Sequence, residues 1–141
     1  MADLKHLIPV RATPDAVYAL LATQRGLASW WTTDTMFEPK VGGKATFGFD
    51  RRETVFHMTV EQLDPGKRVV FTCQGDHPEW NGTTLTWTIS PESDTTILKF
   101  TQSGWKAITD YAAGCNSAWG ELMHRLRDSA EGRSPGPHWR E

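Results

Sequence analysis

The side chains of this sequence that are best suited to bind another molecule are aromatic. Tryptophan is unusually frequent, with 7 residues in a chain of 141, and large amphipathic rings collect in cores, cavity walls or interfaces. Two interpretations stay open: the rings fill a solid core, or several of them line a cavity for an apolar or aromatic ligand. The rings on the apolar faces of the predicted elements are Phe47, Phe56, Phe71, Trp87, Phe100, Tyr111 and Trp119. On the helix side, Tyr111 and Cys115 would supply the polar and polarisable atoms.

The titratable side chains give no indication of catalysis. No carboxylate, Asp50, Glu61 and Glu79 included, stands alone on an apolar strand face, where burial would raise its pKa towards catalytic use. The five histidines are scattered without metal-ligand spacing, and no GxSxG nucleophile motif is present. The sequence therefore predicts no catalytic residue, no metal and no cofactor.

Charge and cysteine content limit the partners and the compartment. The net charge is −2, so no basic surface is predicted for nucleic acid or anionic lipid. No apolar run approaches the ~20 residues of a membrane helix, and the N-terminus lacks the apolar segment of a signal peptide. Cys73 and Cys115 lie far apart and form no CxxC motif, which favours free thiols in a reducing cytoplasm.

The elements that position the aromatic rings can be predicted from periodicity and capping residues. Residues 4–10 alternate as a strand, and Pro9 places that strand at or near a sheet edge because it cannot donate a ladder hydrogen bond. Thr13 and Pro14 predict the start of a helix, and a short second helix is predicted over 24–30. Residues 31–43 are predicted to form a loop.

From residue 45 the apolar residues recur every second position, which predicts a run of antiparallel strands. The last element is a long helix starting near Thr109, with an apolar stripe that we predict to run from Ile108 to Leu126 and a stop at Gly132. Strands separated from helices indicate the α+β class. We predict one domain over 1–132 and a flexible tail over 133–141, mobile unless Trp139 docks.

Short motifs along the chain resemble those of the START-like (SRPBCC) ligand-binding superfamily. Residues 12–18 (ATPDAVY) and 26–31 (GLASWW) resemble its opening. Further segments resemble the branch named for the activator of the 90-kDa heat-shock protein ATPase: 42–44 (GGK), 63–71 (LDPGKRVVF), 84–87 (TLTW), 103–105 (SGW) and 114–119 (GCNSAW). The resemblance covers nearly the whole chain, to about residue 132.

This resemblance implies a helix-grip fold, in which a bent antiparallel sheet grips the C-terminal helix and leaves a cavity between them. Members of the superfamily include lipid and hormone carriers and polyketide cyclases. The eukaryotic activator carries a preceding domain that contacts the chaperone. This sequence begins directly at its first strand, so we expect no chaperone activation.

We therefore predict a non-catalytic protein that binds an apolar or aromatic small molecule. The predicted ligand contacts are Trp31, Phe47, Phe56, Met58, Phe71, Trp87, Phe100, Tyr111, Cys115 and Trp119. Two alternatives are a polyketide cyclase or dehydratase, for which Tyr111 is the one acid/base candidate, and a chaperone-binding interaction protein. An inward-facing His57 or Glu61 would favour the cyclase. Because Trp80, Trp105 and Trp139 fall in predicted loops or the tail, where exposed aromatics mark interfaces, we also predict a homodimer.

Overall fold

The computed structural model describes residues 2–139 and contains seven strands and three helices in that range. The strands are β1 Ala2–Val10, β2 Thr35–Phe37, β3 Lys44–Phe49, β4 Thr54–Asp64, β5 Arg68–Cys73, β6 Thr84–Glu92 and β7 Thr95–Trp105. The helices are α1 Pro14–Leu21, α2 Gln24–Trp30 and α3 Asp110–Ala130. The predicted α+β class and the order of strand, two short helices, antiparallel strands and long helix are confirmed.

All seven strands form one antiparallel sheet in the order β1-β7-β6-β5-β4-β3-β2. The first strand lies at one edge, where Pro9 pairs with Ile97, as its missing N–H requires. The turn between β4 and β5 has Pro65 followed by Gly66 at φ +73°, a conformation that glycine adopts without strain. A register shift between Val60 and Gln62 interrupts the long β4 strand.

Threonine side chains cap all three helices at their N-termini. The Oγ1 atoms of Thr13, Thr23 and Thr109 accept hydrogen bonds from backbone N–H groups three residues later, at 3.2, 2.9 and 3.2 Å. Each cap satisfies a donor that has no partner within the helix. The second helix has the predicted bounds, and α3 begins directly after Thr109.

The long helix packs its apolar stripe against the sheet, which completes a helix-grip fold. Its buried residues are Ala112, Trp119, Leu122, Met123 and Leu126. The ring of Trp119 lies 4.3 Å from Phe100 on β7 and 6.2 Å from Trp87 on β6, measured between ring centroids. These rings join helix and sheet in one aromatic core.

Three local predictions are wrong. The predicted loop over 31–43 contains β2. The sequence does not reveal this strand, because three residues are too few to show a periodicity. Ile108 is exposed, since it precedes the helix cap and therefore does not follow the helical stripe. Trp80 and Trp105 are buried rather than exposed. Trp80 lies in the loop after β5, whereas Trp105 is the last residue of β7 and not part of a loop. None of the helices within 2–139 is long and apolar enough to cross a membrane.

Candidate functional site

A cavity of about 420 Å³ lies between the N-terminal half of α3 and one end of the sheet. This volume falls within the range of small-molecule sites. Strands β3 and β4, the loop after β5, the segment after α2 and the C-terminal tail all contribute to its walls. The lining residues are Trp31, Phe49, Asp50, Thr54, Phe56, Trp80, Asp110, Tyr111, Gly114, Cys115, Ala118, Trp119, Leu122 and Trp139.

The helix side of the cavity is open because its central residues are small. The lining residues of α3 recur at steps of three and four and so share one helix face. Gly114 and Ala118 occupy the middle of that face, between Tyr111 and Leu122. A Cβ atom placed on Gly114 would meet no atom within 4 Å. Small side chains on the helix, rather than distortion of the sheet, therefore leave the space.

Aromatic rings form the opposite wall and the floor. The Trp80 ring stacks on Phe56 at a centroid distance of 4.3 Å and an interplanar angle of 11°. On the floor, Trp31 meets the Trp119 ring edge-on at 5.2 Å. Trp31 and Trp119 are almost completely buried, so the cavity extends deep into the core. Such a surface suits a flat or apolar ligand.

A buried chain of hydrogen bonds fixes two of these tryptophans. Trp119 Nε1 donates to Gln102 Oε1 at 2.9 Å, and Gln102 Nε2 donates to Thr83 Oγ1 at 3.0 Å. Thr83 in turn donates to the backbone carbonyl of Trp80 at 2.7 Å. Gln102 and Thr83 are fully buried, so their polar atoms need these hydrogen bonds in place of bonds to water. The chain therefore ties the floor of the cavity to its wall.

The polar groups inside the cavity are weak acids in their neutral forms. Burial, with smaller effects from Cys115 and Glu79, raises the pKa of Tyr111. Burial also raises the pKa of Cys115, against the lowering effect of Trp80 Nε1, which donates to its Sγ at 3.5 Å. The His77 ring stacks on Tyr111 at 4.0 Å and 6°. At neutral pH the phenol and thiol are protonated, which makes both poor bases and poor nucleophiles.

The C-terminal tail closes one side of the cavity. The Trp139 ring meets Phe49 edge-on at 4.7 Å. Its backbone N–H donates to the Trp31 carbonyl at 3.0 Å, and its own carbonyl accepts from Thr33 N–H at 3.2 Å. Trp139 therefore docks on the segment after α2, and the flexibility of the tail over 133–141 stays a prediction. The last two residues lie outside the described range.

The structure divides the predicted ligand contacts into two groups. Trp31, Phe56, Tyr111, Cys115 and Trp119 line the cavity. The other five predicted contacts do not line it and are buried in the core behind it: Phe47, Met58, Phe71, Trp87 and Phe100. Their strand positions point into the core, but the cavity lies towards one end of the sheet. Which of these ten residues touch a ligand stays a prediction.

Sequence reasoning missed several of the lining residues. Phe49 shares the strand face of Phe47, and Gly114 and Ala118 follow the helical steps, so these three had a periodic signal. Trp80 and Trp139 had none, because a loop and a tail bring them to the cavity through long-range contacts. The exposed Asp50, Thr54 and Asp110 complete the rim.

His57 and Glu61, the two residues whose inward orientation would favour a cyclase, are both exposed. His57 is 55% exposed, and its Nδ1 lies 2.8 Å from Asp76 Oδ1 on the outer side of the sheet. Glu61 is exposed. Within residues 2–139, no group of three or more His, Cys, Asp or Glu side chains is placed to hold a metal ion.

Comparison with known proteins places these features in context. The family model described as Activator of Hsp90 ATPase homolog 1-like protein matches residues 11–131. The chain is 31% identical to the Aha1 dimer from Colwellia psychrerythraea, solved in solution, with a TM-score of 0.86 and coverage of 94% of this chain and 98% of that one. No curated protein matches the sequence.

Two more distant structures share the fold alone. Protein MLL2253 from Mesorhizobium loti is 19% identical, with a TM-score of 0.76 and coverage of 88% of this chain and 94% of that one. DynU16, a protein of the dynemicin biosynthetic locus, is 20% identical with a TM-score of 0.80; 98% of this chain matches 51% of its length.

Proposed function

This chain belongs to the family of Activator of Hsp90 ATPase homolog 1-like proteins, and we propose that it is a non-catalytic binding protein for an apolar or aromatic small molecule. The observation that carries the proposal is the cavity of about 420 Å³ between aromatic walls and the small residues of α3. A solid core would place large side chains at Gly114 and Ala118, since packing at those positions stabilises a helix on a sheet.

The proposal that the protein is not an enzyme is supported by the character of the polar lining. Catalysis by proton transfer needs a group whose pKa lies near the working pH. The pKa values of Tyr111 and Cys115 are both raised. Burial also raises the pKa of the second thiol, Cys73, to about 12. A phenol and a thiol that stay protonated can donate hydrogen bonds to a ligand, which suits recognition.

Filling the cavity from the helix side tests the proposal. We expect Gly114→Leu to abolish binding of aromatic probes, because the new side chain enters space that no other atom occupies. Ala113→Leu is the matched control: it adds a similar side chain at the neighbouring helix position, which is exposed like Gly114 but does not line the cavity.

The readout is tryptophan fluorescence, since Trp31, Trp80, Trp119 and Trp139 all line the cavity. Wild type and Ala113→Leu should give saturable titrations with a panel of aromatic small molecules, and Gly114→Leu should give none while its circular dichroism stays native. Equal binding by both variants, or no saturable response from wild type, would contradict the proposal.

We also propose that the protein forms a homodimer in a cytoplasmic setting. The premise of exposed loop tryptophans is wrong for Trp80 and Trp105, so support now comes from the similarity to a protein solved as a dimer. The two free cysteines agree with a reducing compartment. Light scattering at micromolar concentrations should give twice the chain mass of 15.9 kDa; a monomer mass throughout would overturn the dimer.

A further inference from the structure

The charged groups on the cavity lining all have one sign. Among the 14 lining residues only Asp50 and Asp110 carry a charge, and no Lys, Arg or His is included. Both aspartates are exposed, whereas the tryptophans of the floor are buried. The site therefore combines an apolar aromatic interior with an acidic rim.

Neither carboxylate is neutralised by a neighbouring cation. Within residues 2–139, the side chains of Asp50 and Asp110 make no hydrogen bond and no ion pair. The two arginines that follow Asp50 do not line the cavity. Arg52 instead pairs with Asp34, donating to both of its carboxylate oxygens at 2.7 Å.

The interior adds further negative potential. The faces of indole and phenyl rings carry partial negative charge and attract cations. Just behind the rim, Glu79 accepts a hydrogen bond from Thr109, the cap residue of α3. Its charge reaches the interior, since it contributes, after burial and Cys115, to the raised pKa of Tyr111. The carboxylates of Asp50, Asp110 and Glu79 therefore disfavour an anionic ligand.

We propose that the ligand is an organic cation, an amine or quaternary ammonium attached to an aromatic or apolar body. The apolar body lies against Trp31, Trp80 and Trp119, and the cationic group lies against ring faces near Asp50 and Asp110. This inference rests on the proposed function, because it assigns a ligand class to the same cavity.

The experiment compares three probes of nearly equal shape: benzyltrimethylammonium, its neutral isostere neopentylbenzene, and the anion benzylsulfonate. At low ionic strength, benzyltrimethylammonium should bind about tenfold more tightly than neopentylbenzene, from cation–π and carboxylate attraction together. Benzylsulfonate should bind most weakly of the three. Raising the salt concentration should weaken only the cation, because exposed charges are screened.

Removing each rim charge in turn shows which carboxylate attracts the cation. Asp50→Asn and Asp110→Asn should each weaken benzyltrimethylammonium by roughly threefold and leave neopentylbenzene unchanged. Asparagine suits position 50 because Asp50 has φ +52°, a conformation that Asn tolerates well. Asp94→Asn is the control, since Asp94 is an exposed aspartate in the β6–β7 turn that does not line the cavity.

The outcomes separate this inference from the proposed function. If neopentylbenzene or benzylsulfonate binds as tightly as the cation, or if neither rim variant weakens the cation, the cationic ligand is wrong and the binding function stands. If none of the three probes binds to wild type, the proposed function fails and this inference fails with it.

Discussion

At the scale of single residues, Trp119 has two structural roles. Its ring packs against four other aromatic rings, those of Trp31, Trp80, Trp87 and Phe100. Its Nε1 donates to Gln102, which lies inside the core. The same ring also lines the cavity. The ring packing and the hydrogen bond, rather than the cavity, dominate what this side chain contributes to stability.

We expect Trp119→Phe to lower the free energy of unfolding by about 2–3 kcal/mol, because it leaves Gln102 Oε1 buried without a donor and also removes ring volume. Trp105→Phe is the matched control. Trp105 is equally buried, but its Nε1 has no partner within the described residues, so the same substitution removes no hydrogen bond. Urea melts of the two variants measure the difference. Equal losses would show that the bond to Gln102 contributes nothing.

At the scale of elements, α3 carries a glycine that costs helix stability. A glycine in a helix interior is less favourable than alanine by about 0.5–1 kcal/mol. A Cβ atom at Gly114 would clash with nothing, whereas a Cβ atom at Gly26 in α2 would clash with its neighbours. A Cβ at Gly26 would lie 2.2 Å from the Ala19 carbonyl oxygen. Gly26 and Gly114 are therefore glycines for different reasons: Gly26 because α1 and α2 pack closely, and Gly114 because the cavity is left open beside it.

Gly114→Ala should therefore raise the free energy of unfolding by about 0.5–1 kcal/mol. Gly26→Ala should lower it by roughly 2 kcal/mol or more, because the helices α1 and α2 must separate to admit the methyl group. Thermal or urea denaturation of both variants checks the signs. A destabilised Gly114→Ala would mean that another part of the molecule occupies this space in solution.

The elements were largely predictable and the site was only partly so, for a physical reason. Thr13 and Thr109 are capping residues whose effect is local, so the helix starts could be predicted from neighbouring residues. The alternation of β6 likewise fixed which side chains face the core. The cavity depends on Trp80 and Trp139, whose positions follow from contacts between segments far apart in sequence. No periodic pattern records such contacts.

At the scale of the whole molecule, the C-terminal tail connects α3 with the end of α2. Arg125 on α3 donates from Nη1 to the Gly136 carbonyl at 2.9 Å, which holds the tail over the helix. Beyond that point the backbone of His138 donates to the Trp30 carbonyl at 3.2 Å. The tail thus bridges α3 and the segment after α2, and it presents Trp139 as one wall of the cavity.

We expect Trp139→Ala to weaken binding of any cavity ligand more than it weakens the fold. The ring is partly exposed, so its loss should lower the free energy of unfolding by only about 1–2 kcal/mol. The ligand, however, loses one aromatic wall and its dissociation should accelerate. Arg125→Gln should also accelerate ligand dissociation without changing the cavity lining, since Arg125 holds the tail but does not line the site.

Stopped-flow fluorescence measures the dissociation rates, and hydrogen exchange at the Trp139 amide measures tail opening. Protection of that amide in wild type, lost in Arg125→Gln together with faster dissociation, would establish the tail as a wall of the site; faster amide exchange with unchanged dissociation would show that the tail plays no part in retaining the ligand.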